Sequence, residues 1–470
     1  MSDGLIPAQA VVEEALAAAR PGSDGCVVIV EETSEVDVRF ANNATTTNGR
    51  RRDRRVTVVC LREVEGGIST GVASRGGDAD VADLVRAAEH DADSSPAADD
   101  AAELLGPGII GLGPSAARFE RPPEETDLSV LSGVLSGLSS AFTDARADQY
   151  VLAGFAEHRR ATEYLGTSTG VRLAHCQPDG ALQLVARTPD GSASTWAGAG
   201  TADFTDVSIA EMEARLRDRL GWFDTRLERG AGRYEVVLPP EAVADLMIAL
   251  AFETSGRNAE DGQTVFSAPG GGTRLGERLS PLAFDLRADP EEPGLETAPF
   301  LTAGSSSTDS SVFDNGMPLR RTDWIKDGRL HRLRYHRAGA ARSGVEPAGF
   351  IASLVLELPG SNSTVEEMVS RTERGLLLTC LWYIREVDPA TMLLTGLTRD
   401  GVYVIEDGRV VGATNNFRFN ESPVDLLSRA TEVGTSVRAL GREYGEYLNR
   451  TKMPALRVPD FNMSSVSQAS

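Results

Sequence analysis

The chain has 470 residues, of which 69 are acidic and 47 basic, giving a formal net charge of −22 at pH 7. That length supports about three domains and needs neither disulfides nor metals to fold. The charge excludes the cationic footprint of a nucleic-acid-binding protein; an acidic surface serves solubility and names no reaction. The four cysteines, Cys26, Cys60, Cys176 and Cys380, have no C-x-x-C spacing, so buried thiols are expected rather than a disulfide framework or a zinc knuckle. Residues 1–9 lack a basic segment followed by an apolar core, and the apolar stretch 246–252 falls far short of the ~20 residues that cross a bilayer. A soluble cytoplasmic protein with no nucleic-acid and no membrane partner is expected.

In chain order, an amphipathic helix is predicted over 7–20, closed by Pro21-Gly22. Four runs rich in Val, Ile or Thr and bounded by turn residues (26–32, 36–42, 55–62 and 67–74) read as strands. A helix over 79–92 follows, with Val81, Leu84, Val85 and Ala88 at helical spacing. Residues 1–93 thus form an α+β unit on an antiparallel sheet. The segment 94–126, rich in Ala, Asp, Gly and Pro, reads as a linker. A middle unit, 127–228, opens with a helix over 127–144. It continues as a meander of strands at 150–158, 162–165, 171–177, 181–188 and 192–198, and closes with a charged helix over 209–224.

The remainder, 229–470, is expected to be a mostly β domain around one packed helix. A strand over 234–238 runs into Pro239-Pro240, and the second proline suits the first turn of a helix. Val243, Leu246, Met247, Leu250 and Ala251 fall on one face of that helix, and Gly256 is placed to end it. Two strands feed polar hairpin turns, Lys326-Asp327-Gly328 and Glu406-Asp407-Gly408.

The end of the packed helix, Phe252-Glu253-Thr254-Ser255-Gly256-Arg257, has the outline of a zinc-protease helix without its ligands. A catalytic version carries His, Glu and a second His about one turn on, the two imidazoles holding Zn²⁺ and the Glu activating its water. Here Phe252 and Arg257 stand where imidazoles are required, and only Glu253 remains. Arg257 follows Glu253 by four residues, so a helical ion pair between them is expected. Glu253, Glu260 and Asp261 could together hold a hard cation such as Mg²⁺ or Ca²⁺, but a structural salt bridge is the favoured reading.

Other motifs default to structure. Gly166-Thr167-Ser168-Thr169-Gly170 matches the G-x-S-x-G nucleophile elbow, yet residues 171–175 read as a strand and not a helix, so a hairpin turn is expected. His331 and His336 lie among Arg332, Arg334 and Arg337, which disfavours a metal; a surface strand is expected. The Gly-rich run 269–273 lacks the Lys-Ser/Thr ending of a phosphate loop, and Ser305-Ser306-Ser307 has no base nearby in sequence.

Several segments, taken in order, resemble the TldD/PmbA family of bacterial peptidase subunits, and its PmbA (TldE) branch in particular. They are 56–76 with the helix core 83–88, Thr167-Ser168-Thr169-Gly170, 275–282, Phe313-Asp314-Asn315-Gly316 with Arg321-Thr322, 326–330, and 415–420. The resemblance implies that a catalytic subunit carries H-E-x-x-x-H, with a Cys near its C-terminus completing the zinc site. Laid on this chain, that motif falls on Phe252, Glu253 and Arg257, and residues 452–470 contain no Cys. The resemblance thus implies a non-catalytic subunit with no cofactor of its own, paired with a zinc-bearing TldD-like partner and acting on unfolded peptides, with a homodimer open to the chain alone. Two readings stand beside it: a hydrolase with a site of its own, or a self-associating binding or regulatory protein without a protease partner.

Overall fold

The computed structural model describes residues 6–20, 24–78, 80–110 and 114–467. The Pro21-Gly22 turn and Ala79, the expected first residue of the second helix, lie outside them. Helix α1 (Ala8–Ala18) leads into β1 (Gly25–Ala41), β2 (Ala44–Val64), β3 (Gly67–Gly76) and α2 (Val81–Ser94). Short helices α3 (Pro107–Ile110) and α4 (Pro114–Arg118) precede α5 (Ser132–Ala147), β4 (Val151–Thr167), β5 (Arg172–Arg187), β6 (Ser194–Thr201) and α6 (Ile209–Gly221). The six strands form one antiparallel sheet in the order β3-β2-β1-β4-β5-β6.

Where the sequence suggests pairs of short strands, the chain forms single long ones. Apart from their end residues 42, 150, 171 and 188, the runs 26–32 and 36–42 both lie in β1, 150–158 and 162–165 in β4, and 171–177 and 181–188 in β5. Their polar midsections lie in register: Ser34 faces Arg52 on one side and Arg160 on the other, and Arg160 faces Pro178. A polar break in one strand is met by the polar break in the next, so pairing continues through it. The units expected at 1–93 and 127–228 therefore share one sheet.

The expected linker is tied down across that sheet. Phe119 and Leu105 are buried, the Tyr164 hydroxyl donates to the Arg121 carbonyl (2.7 Å), and the Thr126 amide donates to Ser34 Oγ (3.1 Å). Even-numbered β1 residues face the helices. Cys26, Val28 and Val30 share a core with α1 and α2, and Val36, Val38 and Phe40 share one with α5 and α6. On the opposite face, Val27 and Ile29 pack with Phe300, Val312 and Phe313 from the C-terminal part.

That part begins with β7 (Gly232–Leu238), α7 (Pro240–Phe252), α8 (Gly256–Glu260) and β8 (Asp285–Ala288). There follow β9 (Thr322–Lys326), β10 (Arg329–Leu330), α9 (Arg337–Ser343), β11 (Val355–Glu357) and α10 (Val365–Ser370). Next come β12 (Arg374–Leu378), β13 (Leu381–Asp388), β14 (Leu393–Thr398), β15 (Val402–Glu406), β16 (Arg409–Ala413) and β17 (Phe417–Glu421). The chain closes with α11 (Pro423–Arg429), β18 (Glu432–Val433), β19 (Val437–Ala439), β20 (Thr451–Met453) and β21 (Leu456–Val466). One sheet runs β13-β14-β17-β21-β7-β12-β15-β16, with β18 against β21; the other runs β10-β9-β8-β11-β20-β19. Both are mixed, since β7 pairs β12 and β11 pairs β20 in parallel. The protein is α+β.

Helix α7 shares a core with both sheets: Leu286, Ile325 and Leu356 on one, Leu376, Phe417 and Phe461 on the other. Every residue from Ala242 to Ala251 is buried, so the single apolar face expected from the spacing is in fact apolar surroundings on all sides. The two polar hairpins form as predicted, with positive φ at Asp327 (54°), Gly328 (69°), Asp407 (48°) and Gly408 (74°). Among the described residues no helix is long and apolar enough to cross a membrane.

Candidate functional site

Helix α7 ends at Phe252, ahead of the expected stop at Gly256. The Glu253 and Thr254 amides turn back to the Leu250 and Ala251 carbonyls (3.2 and 3.3 Å), a tighter last turn, and the Thr254 hydroxyl also donates to Ala251 (2.6 Å). The chain then pairs with a segment some eighty positions downstream. The Arg334 amide donates to the Thr254 carbonyl (2.7 Å), and the Gly256 amide donates to the Arg334 carbonyl (2.8 Å). Gly256 opens α8, with Ser255 as its cap. A Cβ on Gly256 would lie 2.0 Å from the Tyr335 ring, so glycine is needed there for close approach rather than for termination. Phe252 and Arg257 therefore sit on different helices, and the zinc-helix outline is broken at its centre.

Each motif position is engaged separately. The Phe252 ring meets Tyr444 and Tyr447 edge-on, at centroid distances of 5.9 and 5.6 Å. The expected Glu253–Arg257 ion pair does not form: Arg257 Nε donates to Asp261 (2.8 Å) on the exposed side of α8. The cation beside Glu253 is instead Arg334. Its guanidinium donates to the Phe252 carbonyl (2.7 Å) and to Thr254 Oγ1 (3.0 Å) and pairs with Asp309 (2.8 Å), so it caps the C-terminal end of α7. Glu253 itself is half-buried and makes no hydrogen bond or ion pair through its carboxylate among the described residues. Burial, then the nearby Glu386 carboxylate, pushes its pKa up to about 7; Arg334 opposes this and Asp309 adds to it.

These residues do not fit Zn²⁺. One carboxylate is the only donor of the three, Phe252 offers none, and the neighbouring charge is a guanidinium, which repels a cation. The carboxylates considered for a hard cation diverge as well. Glu260 accepts from the Tyr335 hydroxyl (2.9 Å) and Ser343 (2.6 Å), while Asp261 holds Arg257. Among the described residues, no group of three or more His, Cys, Asp and Glu side chains is placed to hold a metal ion.

Two residues that matter here have no motif around them. Asp245 is wholly buried on α7 and accepts the amides of Arg442 (2.9 Å), Glu443 (3.0 Å) and Tyr444 (3.0 Å). Burial pushes its carboxyl up while those three amides pull it down. Asp245 thereby fixes the loop that carries Tyr444 and Tyr447 against Phe252. Its signal in the sequence is a lone acid inside the apolar run 242–252. Arg334 has no such local signal, because its partners lie far off along the chain.

The remaining motifs are structural. The Gly166–Gly170 segment is a hairpin turn between β4 and β5, in which Ser168 Oγ accepts the Cys26 amide (3.0 Å). His331 is exposed, but His336 is buried and caps α9 by accepting the Gly339 amide (3.1 Å), so the surface strand expected over both does not form. Ser306 donates to Asp100 (2.5 Å) in a loop. The four cysteines are free and buried.

Residues 231–465 match the family described as the PmbA/TldA metallopeptidase C-terminal domain. The fold is similar to that of TldE from Thermococcus kodakarensis, with a TM-score of 0.77 and 16% identity over 97% of this chain and 99% of that one. A putative modulator of a DNA gyrase from Thermotoga maritima has a TM-score of 0.72 at 16% identity, covering 93% of this chain and 95% of its own. A putative modulator of DNA gyrase from Bacteroides thetaiotaomicron also has a TM-score of 0.72, at 13% identity over 98% of each chain. At these identities the likeness to the solved structures concerns the fold. No curated protein matches the chain.

Proposed function

The chain belongs to the PmbA/TldD family of metallopeptidase-related proteins, and on that premise we propose that it is a non-catalytic subunit of a heteromeric zinc peptidase that degrades or trims unfolded peptides in the cytoplasm. The observation that carries this reading is the construction at the three motif positions. Phe252 is packed into an aromatic cluster, Arg257 is engaged in a surface pair, and a helix break separates them. Glu253 alone does not reproduce the zinc-peptidase step, in which the metal acidifies the water that the carboxylate deprotonates. A guanidinium already bonded to Phe252, Thr254 and Asp309 offers no open coordination position for that water. A TldD-like partner supplies the metal and the hydrolytic step, and this chain supplies wall and binding surface for an extended substrate.

Co-expression with a zinc-bearing paralogue, followed by peptidase assays on each subunit and on the pair, tests this. Activity is expected in the pair and not in this chain alone. Stoichiometric zinc in the purified chain, or hydrolysis by it without a partner, overturns the proposal. Purification only as a homodimer that ignores every zinc-bearing paralogue favours the self-associating regulatory reading.

A further inference from the structure

The face of the long sheet turned away from the helices does not pack evenly against the C-terminal part. Odd-numbered residues of β1, β4 and β5 line two adjoining cavities of about 560 and 470 Å³, which share Gln177, Thr297 and Ala352 as a common wall. Along β4 they extend from Phe155 to Glu163. At ~3.3 Å per residue that eight-residue step spans roughly 26 Å, the length of about seven or eight residues of extended chain. Both cavities reach the broken motif. Tyr447, two-thirds exposed, lines one cavity and meets Phe252 edge-on; Arg334 lines the other and donates to the Phe252 carbonyl.

The charge on this face is unbalanced in a particular way. In the β1–β4 register, Glu31 stands directly opposite Glu163, and Asp37 opposite Glu157. Like charges facing each other across strands destabilise a sheet, and two such rows ask for a counter-charge. Glu31 has Arg159 (2.7 Å). Glu157 and Glu163 have no ion pair among the described residues; Arg39, the cation opposite Phe155, lies over that ring at 5.9 Å. Burial raises the pKa of both carboxyls, that of Glu163 to about 6 despite a hydrogen bond from Thr302. A separate observation lies on the shared wall. Thr297 is 8% exposed, and its hydroxyl is buried with no hydrogen-bond partner among the described residues, a cost that native interiors seldom carry without a ligand or water to meet it.

We propose that this cleft binds an extended polypeptide segment through its lysine or arginine side chains, with Glu157 and Glu163 receiving the cations and Thr297 receiving the backbone. The inference rests on the peptide-handling role proposed above and adds the substrate class. Charge complementarity of this sort acts on selection as much as on strength, so the expected signature is discrimination between peptides of equal length and opposite charge.

The test uses the full-length chain and fluorescein-labelled unstructured decapeptides of Gly and Ser carrying four Lys, four Glu or neither, read by fluorescence anisotropy. The Lys peptide is expected to bind at least about tenfold more tightly than the Glu peptide, and less tightly as salt rises. The double substitution Glu157→Gln with Glu163→Gln should remove most of that preference, whereas Glu366→Gln on the exposed face of α10 should not. Thr297→Val is expected to weaken binding about fivefold while leaving the free chain as stable or more so, a combination that a merely structural threonine does not give. Equal affinity for the Lys and Glu peptides, or no binding of the Lys peptide, overturns the cleft. That comparison needs no variant, so misfolding cannot mask it. If binding fails while the chain still assembles with a zinc-bearing paralogue into an active pair, only the cleft falls. If the Lys peptide binds and no paralogue does, the subunit reading falls instead.

Discussion

Replacing Glu253 by Gln separates a residual catalytic carboxylate from one that is merely trapped. The side chain is half-buried, and its carboxyl is carried from 4.5 to about 7 by burial and by Glu386. Were the group wholly shielded, that displacement would correspond to roughly 3 kcal/mol; partial solvent contact reduces it to about 1–2 kcal/mol. Because the folded-state pKa is raised, the native chain holds this proton more tightly than the unfolded chain does. The associated stability is fully present below the unfolded value of 4.5 and is lost as pH rises through about 7. Wild type and Glu253→Gln should therefore unfold at similar urea concentrations near about pH 5, and the variant should be more stable by about 1–2 kcal/mol near about pH 8. Turnover by the assembled pair should stay within about twofold. A variant less stable at the higher pH, or a gap that does not change with pH, refutes the burial argument. A large loss of turnover with the complex intact makes Glu253 catalytic.

Asp245→Ala strands three amides that now donate to one buried carboxylate, and a loss of about 3–5 kcal/mol is expected in urea unfolding, with Asp245→Asn recovering part of it. Faster proteolysis within 440–449 should accompany it; an unchanged loop would mean that Asp245 does not fix it. Arg257→Ala should shift stability by no more than about 0.5 kcal/mol, as befits an exposed pair with Asp261. A cost of several kcal/mol would show that Arg257 serves some other group. Gly71→Ala places a Cβ 2.1 Å from backbone atoms of both Ala88 and Ala92, so α2 must move off β3. A loss of about 3 kcal/mol or more is expected in thermal or urea unfolding, and an unchanged midpoint would contradict that seating.

Legibility in the sequence tracked the reach of each interaction. The Val and Ile alternation over 26–32 and 36–42 reports which face is buried, and both runs are indeed strand. Nothing local reports that Glu32-Thr33-Ser34-Glu35 continues the strand, because its partners are Arg51 to Arg54 and residues 159–162. The same limit applies at the motif. Helix α7 is plain from its apolar run, yet the sequence carries it on to Gly256 and offers an attractive ion pair between Glu253 and Arg257. Pairing of 254–256 with Arg334 and the Tyr335 ring over Gly256 override that local preference from some eighty positions away.

The motif and the cleft bear on each other through this break. On a continuous α-helix positions 252 and 257, five residues apart, would lie about 140° apart around the axis and not on one face. Ending α7 at Phe252 frees its last carbonyl for Arg334 and turns the Phe252 ring to Tyr444 and Tyr447. Arg334 and Tyr447 each line one of the two cavities of the cleft. Phe252, where the family resemblance puts one metal ligand, is thus tied by direct contacts to the surface proposed to bind an extended, basic chain. On this reading, replacing Phe252 by His would loosen the aromatic cluster before it created any metal site. The expected sign is weaker binding of the Lys peptide with no gain in zinc, because position 257 would still be an arginine paired with Asp261 beyond a broken helix.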